Sequence, residues 1–94
     1  MMRIHYDGFC RLTRGSGAPF EGNGGALDLE VGQTVDLPWQ DTHLEIAGAD
    51  EEGASVNLYL GGSKSSAYIA YNGTKTFVLE RAALHLEIQI NIQA

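Results

Sequence analysis

The ten residues before the terminal alanine, from Leu84 to Gln93, alternate apolar and polar side chains without a break. Because successive side chains of a β-strand point to opposite faces of its sheet, this pattern predicts a long strand with one buried face and one exposed face. The residues of the predicted buried face are Leu84, Leu86, Ile88, Ile90 and Ile92. A strand of this length needs partners, which the rest of the chain must supply.

Shorter segments of the same kind recur along the chain, separated by turn signals about every 8 to 12 residues. They predict about seven to eight short strands, and no segment has the periodicity of a long amphipathic helix. With 94 residues and 44% apolar residues, the chain is long enough for one core and too short for two. We therefore expect an all-β fold, a small antiparallel β-sandwich, jelly roll or barrel, in a single domain over residues 1–94.

Two dipeptides predict β-hairpins. Asp7-Gly8 and Asn72-Gly73 are the residue pairs that best tolerate the backbone of a two-residue hairpin turn. The first hairpin would place four apolar residues on one face towards the core: Met2, Ile4, Tyr6 and Phe9. The second would join strands over 67–71 and 74–80, with apolar groups on both faces. Between them, residues 61–66 read as a small polar loop.

Residues 15–25 contain five glycines and one proline, a composition that predicts a long loop. Long loops without structure of their own are often functional or mobile, so this segment is either a contact with a partner or ligand, or a flexible connector.

The start of this loop carries a resemblance. Leu12-Thr13-Arg14-Gly15, with Ser16 and Phe20, resembles a short segment of the tryptophan-activated RNA-binding attenuation protein family, whose members are ring-forming all-β proteins. The resemblance implies a β subunit that assembles into a ring. The chain lacks the clustered lysines that RNA binding by that family would imply, so RNA binding is not carried over.

Charge is distributed unevenly along the chain, whose formal net charge is −6. Between Gly15 and Ser63 there are nine acidic residues and no basic one, whereas the two flanks together carry six basic and three acidic residues. Either these acids are solvated positions on strands and loops, or they form a patch that meets a basic partner or the basic flank of another copy. Direct nucleic-acid binding is disfavoured, because it needs clustered Lys and Arg.

The residues that carry chemistry form no recognisable site. His5, His43 and His85 all fall at polar strand positions, which favours exposed or rim histidines. His5 would lie opposite Cys10 in the first hairpin, but one cysteine cannot complete a structural zinc site of this kind. The sequence 61–65 has phosphate-loop residues in the wrong arrangement. We expect no catalytic residues, no metal and no cofactor, and hence a protein that is not an enzyme.

A single cysteine excludes an intramolecular disulfide, and the first ten residues lack the apolar region of a signal peptide. No apolar run approaches the roughly 18 residues of a membrane span. We expect a cytoplasmic protein, or a virion component if the chain is phage-encoded, with no membrane partner.

These observations favour a non-enzymatic protein–protein interaction or assembly module, a subunit of a symmetric oligomer or of a phage or virus-like particle. Charge segregation, a terminal strand at a sheet edge and a hairpin with two apolar faces motivate it. One alternative is a small acidic, nucleic-acid-mimicking inhibitor of the anti-CRISPR kind, which binds a basic enzyme surface. Another is a small-molecule or carbohydrate-binding β-barrel. The candidate interaction residues are Trp39, Asp50, Glu51, Glu52, Tyr59, Tyr68 and Tyr71.

Overall fold

The computed structural model describes residues 2–12, 20–21, 24–38, 41–81 and 84–94, of which 9–12, 20–21, 79–81, 84 and 86 are described by their backbone alone. Two antiparallel sheets form the fold. The strands are β1 (Met2–Leu12), β2 (Phe20–Glu21), β3 (Gly25–Leu29), β4 (Thr34–Asp36), β5 (Thr42–Ala49), β6 (Gly53–Leu60), β7 (Ser63–Ala70), β8 (Thr74–Arg81) and β9 (Leu84–Gln93). The predicted all-β class is confirmed, as a sandwich.

The strands follow one another around the sandwich in chain order. Sheet A has the order β3, β1, β9, β8. The two-residue β2 pairs with a different part of β1 from β3, Phe9–Cys10 instead of Met2–Tyr6. Sheet B is the meander β4, β5, β6, β7. Residues 30–33 connect β3 to β4, and residues 71–73 connect β7 to β8, so the chain changes sheet at each lateral side. Sheet B is therefore one contiguous segment, residues 34–70.

Strand β9 is confirmed as a long, one-sided strand, but it is not an edge. It pairs with β1 along ten residues and with β8 along eight. Its residues Ile88, Ile90 and Ile92 are fully buried. The prediction of a terminal edge strand is wrong because the most apolar strand face is buried best in the middle of a sheet, where strands on both sides exclude water.

The core lies between the two sheets and is filled by the alternate residues of each strand. From sheet A it takes Met2, Ile4, Leu29, Phe77, Ile88, Ile90 and Ile92, and from sheet B Leu44, Ile46, Ala54, Val56, Leu58, Leu60 and Ile69. At about 1.5–3 kcal/mol for each large apolar side chain removed from water, this burial is the main favourable term in the stability of the fold.

The predicted hairpin at Asp7-Gly8 is wrong. Strand β1 runs straight through these residues, with Asp7 opposite Gln89 and Gly8 opposite Ile88. The Asp7 carboxylate accepts a hydrogen bond from the Gly8 N–H at 2.9 Å, which satisfies that side chain within the strand. Pairing along the whole of β9 outweighs the local preference of the dipeptide for a turn.

The turn at Asn72-Gly73 exists, but it does not make a hairpin. The Gly73 N–H donates to the Ala70 carbonyl at 2.8 Å, and Asn72 has a φ angle of 68°, as the third residue of a type II turn requires. This turn carries the chain from sheet B to sheet A. The predicted hairpin of strands 67–71 and 74–80 is therefore wrong, because β7 pairs with β6 and β8 pairs with β9.

A hairpin occurs instead at Gly61-Gly62, inside the segment predicted as a polar loop. Leu60 pairs with Ser63 across these two glycines, and the φ angle of 57° at Gly61 suits the first central position of a type II′ turn. Residues 63–66 belong to β7, since the fully formed β6 provides a ladder for them despite their low β-propensity.

Part of the glycine-rich segment is strand: Phe20–Glu21 form β2 beside β1, and β3 begins at Gly25. The rest of the predicted loop, residues 15–19 and 22–23, lies outside the described residues, as does Trp39.

Candidate protein interaction surfaces

Asp50 lies at the centre of the hairpin that joins β5 to β6. One carboxylate oxygen, Oδ1, accepts hydrogen bonds from the Glu52 N–H at 2.8 Å, the Gly53 N–H at 3.0 Å and the Tyr68 hydroxyl at 2.7 Å. These donors, the Tyr68 hydroxyl first, lower the pKa of Asp50 below its usual value because they stabilise the ionised form. Asp50 thus fixes the turn and joins it to β7.

Tyr68 and Tyr71 complete this corner. The Tyr71 hydroxyl donates to the Asp50 carbonyl at 3.0 Å, and its N–H donates to the Glu52 carbonyl at 2.9 Å. The next residue, Asn72, donates its N–H to the Ile92 carbonyl at 2.7 Å, which ties the corner to sheet A. Because it accepts a hydrogen bond from the Tyr68 hydroxyl, the Asp50 carboxylate raises the pKa of Tyr68 to about 12.

The structure therefore brings together some of the predicted interaction residues. Asp50, Tyr68 and Tyr71 form one hydrogen-bonded corner, and the exposed Glu51 and Glu52 lie on its turn. We call these five residues the Asp50 corner. Tyr59 lies apart from it, and Trp39 lies outside the described residues.

Tyr59 belongs to a polar network on the outer face of sheet B. The Glu45 carboxylate accepts hydrogen bonds from the Asn57 amide at 2.9 Å and from the Tyr59 hydroxyl at 3.0 Å. The Ser66 hydroxyl donates to the Asn57 amide oxygen at 2.7 Å. The network lowers the pKa of Glu45, chiefly through Asn57, and raises the pKa of Tyr59 through Glu45. Alternation along β6 places Tyr59 on the outer face, but its partners depend on how β6 pairs with β5 and β7.

The acidic residues of the chain are concentrated on sheet B and its turns. Asp36 contacts His43 at 2.6 Å between Oδ1 and Nδ1 at one end of the outer face of sheet B, and Lys64 lies near Glu45. Residues 34–70 contain six acidic residues and one basic residue, a formal charge of −5. The strands of sheet A contain five acidic and four basic residues, a formal charge of −1. Counted over strands alone, sheet B also has a formal charge of −1, from Asp36, Glu45 and Lys64, so the acidic excess lies on the turns that join its strands.

The outer face of sheet A is polar and nearly neutral. Arg3 forms an ion pair with Asp28 across β1 and β3, at 3.1 Å. A shallow depression of about 130 Å³ is lined by His5, Tyr6, Asp7, Thr74, Gln89 and Asn91. The Asn91 amide lies across it and donates to the Gly73 carbonyl at 2.9 Å and to the Thr74 hydroxyl at 3.2 Å.

The histidines lie far apart from one another. His85 is only 7% exposed, with Nε2 3.2 Å from the Glu87 carboxylate, so its predicted exposed position is wrong. His5 and Cys10 are five residues apart on the continuous β1, which separates them by about 16 Å. The prediction that they lie opposite each other is therefore wrong. In the described part of the chain no three His, Cys, Asp or Glu residues group as metal ligands would.

The two lateral sides of the sandwich differ in charge. On the β7/β8 side, both edge strands are eight residues long and each pairs with one described neighbour. They contain Lys64, Lys75, Glu80 and Arg81, a formal charge of +2. On the β3/β4 side, residues 25–36 contain Asp28, Glu30 and Asp36, a formal charge of −3.

Each lateral side also exposes large apolar side chains. Val78 of β8 is 54% exposed and Tyr68 of β7 is 50% exposed, on one side. On the other side, Val31 is 53% exposed, in the connection between β3 and β4. Scattered exposed apolar residues are common, but these lie beside edge strands that each have one ladder partner among the described residues.

Comparisons with protein-family models, curated proteins and solved structures give no match for this chain. Among the described residues, no helix has the length and apolar character to cross a membrane.

Proposed function

We propose that the protein is a non-enzymatic assembly module, which forms a symmetric homo-oligomer through the lateral sides of its sandwich. The single observation that carries this proposal is the β7/β8 side, where both sheets end in an eight-residue strand with one described ladder partner each. An edge strand presents a row of backbone donors and acceptors that another chain can pair with.

The side chains on this side support specific rather than indiscriminate pairing. Lys75 lies at a core-facing register position opposite Ile90, yet it is exposed at the edge. Charged residues of this kind are one way in which proteins prevent unwanted edge-to-edge association. Pairing with another strand would bury the Lys75 ammonium group near the new ladder without a counter-ion. A partner that supplies carboxylates would neutralise this charge, whereas a partner without them would not.

The proposal differs from the sequence prediction in where the contact lies. Strand β9 is central, and the expected hairpin of 67–80 is divided between the two sheets. Its two strands nevertheless lie at the same lateral side, each carrying one exposed apolar residue, Tyr68 or Val78. The apolar character that indicated a contact thus stays with β7 and β8.

The test is the native mass in solution, measured by light scattering behind a sizing column at low and at high salt. We expect one closed oligomer, a multiple of 10.1 kDa, that weakens as salt screens its charges. Val78→Asp should reduce the mass, and Gln93→Asp, which adds the same charge at an exposed position on the central β9, should not. A wild-type protein of 10.1 kDa at every concentration would contradict the proposal.

One observation favours a second candidate, an acidic inhibitor that occupies a basic nucleic-acid-binding surface. The formal charge of −5 over residues 34–70 is concentrated on one sheet and its turns. This candidate would displace a labelled DNA duplex from a basic DNA-binding enzyme, less effectively at high salt. Replacing Glu51 and Glu52 by Gln should weaken the displacement. If the wild type displaced no more DNA than an uncharged competitor protein does, this candidate would be wrong.

A further inference from the structure

We infer that the β7/β8 side of one copy pairs with the β3/β4 side of the next copy, in a head-to-tail contact that continues both sheets. The contact rests on the proposed function, since it requires that the protein assembles at all. It adds which two surfaces meet and therefore which kind of symmetry the assembly has.

Strand direction allows this contact in both sheets at once. Each sheet is four strand rows across and antiparallel throughout, so its two edge strands run in opposite directions. A second copy, related by rotation about an axis along the strands, would then place its β3 antiparallel to β8 and its β4 antiparallel to β7. Antiparallel pairing is the arrangement that the strands already use within the chain.

Charge selects this contact over a symmetrical one. In a two-fold contact between β7/β8 sides, two surfaces that each have a formal charge of +2 would meet. In the head-to-tail contact the β7/β8 side meets a side with a formal charge of −3, and strand register puts Lys64 level with the exposed Asp36, through Tyr59 and His43. Opposite charges that meet across an interface favour the correct partner, and like charges that meet suppress the wrong one.

Exposed apolar groups match in the same way. Val31 lies on the acidic side, and Val78 and Tyr68 lie on the basic side, so the head-to-tail contact buries apolar area from both copies. Because the two contacting surfaces are different, a pair of copies still has one free surface of each kind. Such contacts either close into a ring or continue as a filament.

Charge reversal tests the contact. One variant, Lys64→Glu with Lys75→Glu, makes the basic side acidic, and another, Glu30→Lys with Asp36→Lys, makes the acidic side basic. We expect each variant alone to have a native mass of 10.1 kDa, because like charges now meet at every contact. An equimolar mixture should assemble again, since each variant then offers the charge that the other lacks.

The control is Gln89→Lys with Gln93→Lys, which adds positive charge at two exposed positions on the central β9, away from both edge strands. It should assemble like the wild type. Recovery of assembly in the mixture also shows that both variants are folded. If the Glu30→Lys, Asp36→Lys variant does not fold, Glu30→Lys alone replaces it in the test, because that variant keeps the Asp36–His43 contact.

The outcomes separate the two proposals. If the wild type assembles and the Glu30→Lys, Asp36→Lys variant keeps its full mass, the contact is not head to tail, although the assembly function stands. The same conclusion follows if the mixture of variants does not assemble. If the wild type is itself a monomer, the proposed function fails and the head-to-tail contact fails with it.

Discussion

Gly53 is the position where one added methyl group should cost the most. It begins β6 as a buried residue opposite Ala70 of β7. A Cβ atom there would overlap the carbonyl oxygen of Ile69 and lie 2.8 Å from the Ala70 Cα atom. Both obstacles are backbone, so no side chain can rotate away, and the strands themselves must separate. Gly53 is also held by Asp50, whose Oδ1 accepts its N–H and whose N–H donates to its carbonyl.

The expected loss of stability for Gly53→Ala follows from these contacts. Overpacking of a core costs about 1–3 kcal/mol, and a displacement of two backbones belongs at the upper end of that range. The smaller entropy of the unfolded alanine chain offsets about 0.4–1 kcal/mol. The net loss in the free energy of unfolding is then roughly 2 kcal/mol or more. At about 4–8 °C for each kcal/mol in a domain of this size, the melting temperature should fall by about 8 to 16 °C.

Urea and thermal unfolding followed by circular dichroism measure this loss, with Gly48→Ala and Gly62→Ala as matched controls. An added Cβ at either control position meets nothing within 4 Å, and neither glycine has a positive φ angle. The controls should change stability by no more than about 0.5 kcal/mol. If Gly53→Ala were as stable as Gly48→Ala, the close approach of β6 to β7 at Ala70 would be wrong.

Two further predictions concern the core and the Asp50 corner. Ile90→Ala removes a fully buried side chain from the central β9 and should lower the free energy of unfolding in urea by about 2–5 kcal/mol. Val78→Ala, at a mostly exposed position, should lower it by about 0.5 kcal/mol or less. Equal losses would contradict the assignment of the buried and exposed faces. Because the folded protein raises the pKa of Tyr68 to about 12, its hydrogen bond with Asp50 contributes fully below the ordinary tyrosine pKa of about 10 and is lost as the pH rises towards 12. Tyr68→Phe should therefore lower stability at neutral pH and flatten its decline between these pH values, and a decline identical to that of the wild type would refute this coupling.

The charge pattern shows how far linear sequence can predict a surface. The acidic block was visible in the sequence, and its residues from Asp36 to Glu52 lie on sheet B and its turns because sheet B consists of one contiguous segment. Had the strands of the two sheets alternated along the chain, the same residues would have been divided between both faces. The Asp50 corner was only partly predictable, since Asp50 and Tyr68 are separated by 18 residues and meet through the pairing of β6 with β7.

The sequence by itself determined the all-β class and the one-sided character of the strands, because alternation of apolar and polar residues is a local pattern with a direct structural meaning. It did not determine which strands pair. Asp7-Gly8 and Asn72-Gly73 both predict hairpins, yet one lies within a continuous strand and the other carries the chain between sheets. The preference of a dipeptide for a turn contributes little free energy. The pairing of ten residues between β1 and β9, together with a shared core, contributes much more, and this contribution arises only when distant segments meet. Tertiary structure therefore decided the partners, the true edges and, with them, the surfaces available for assembly.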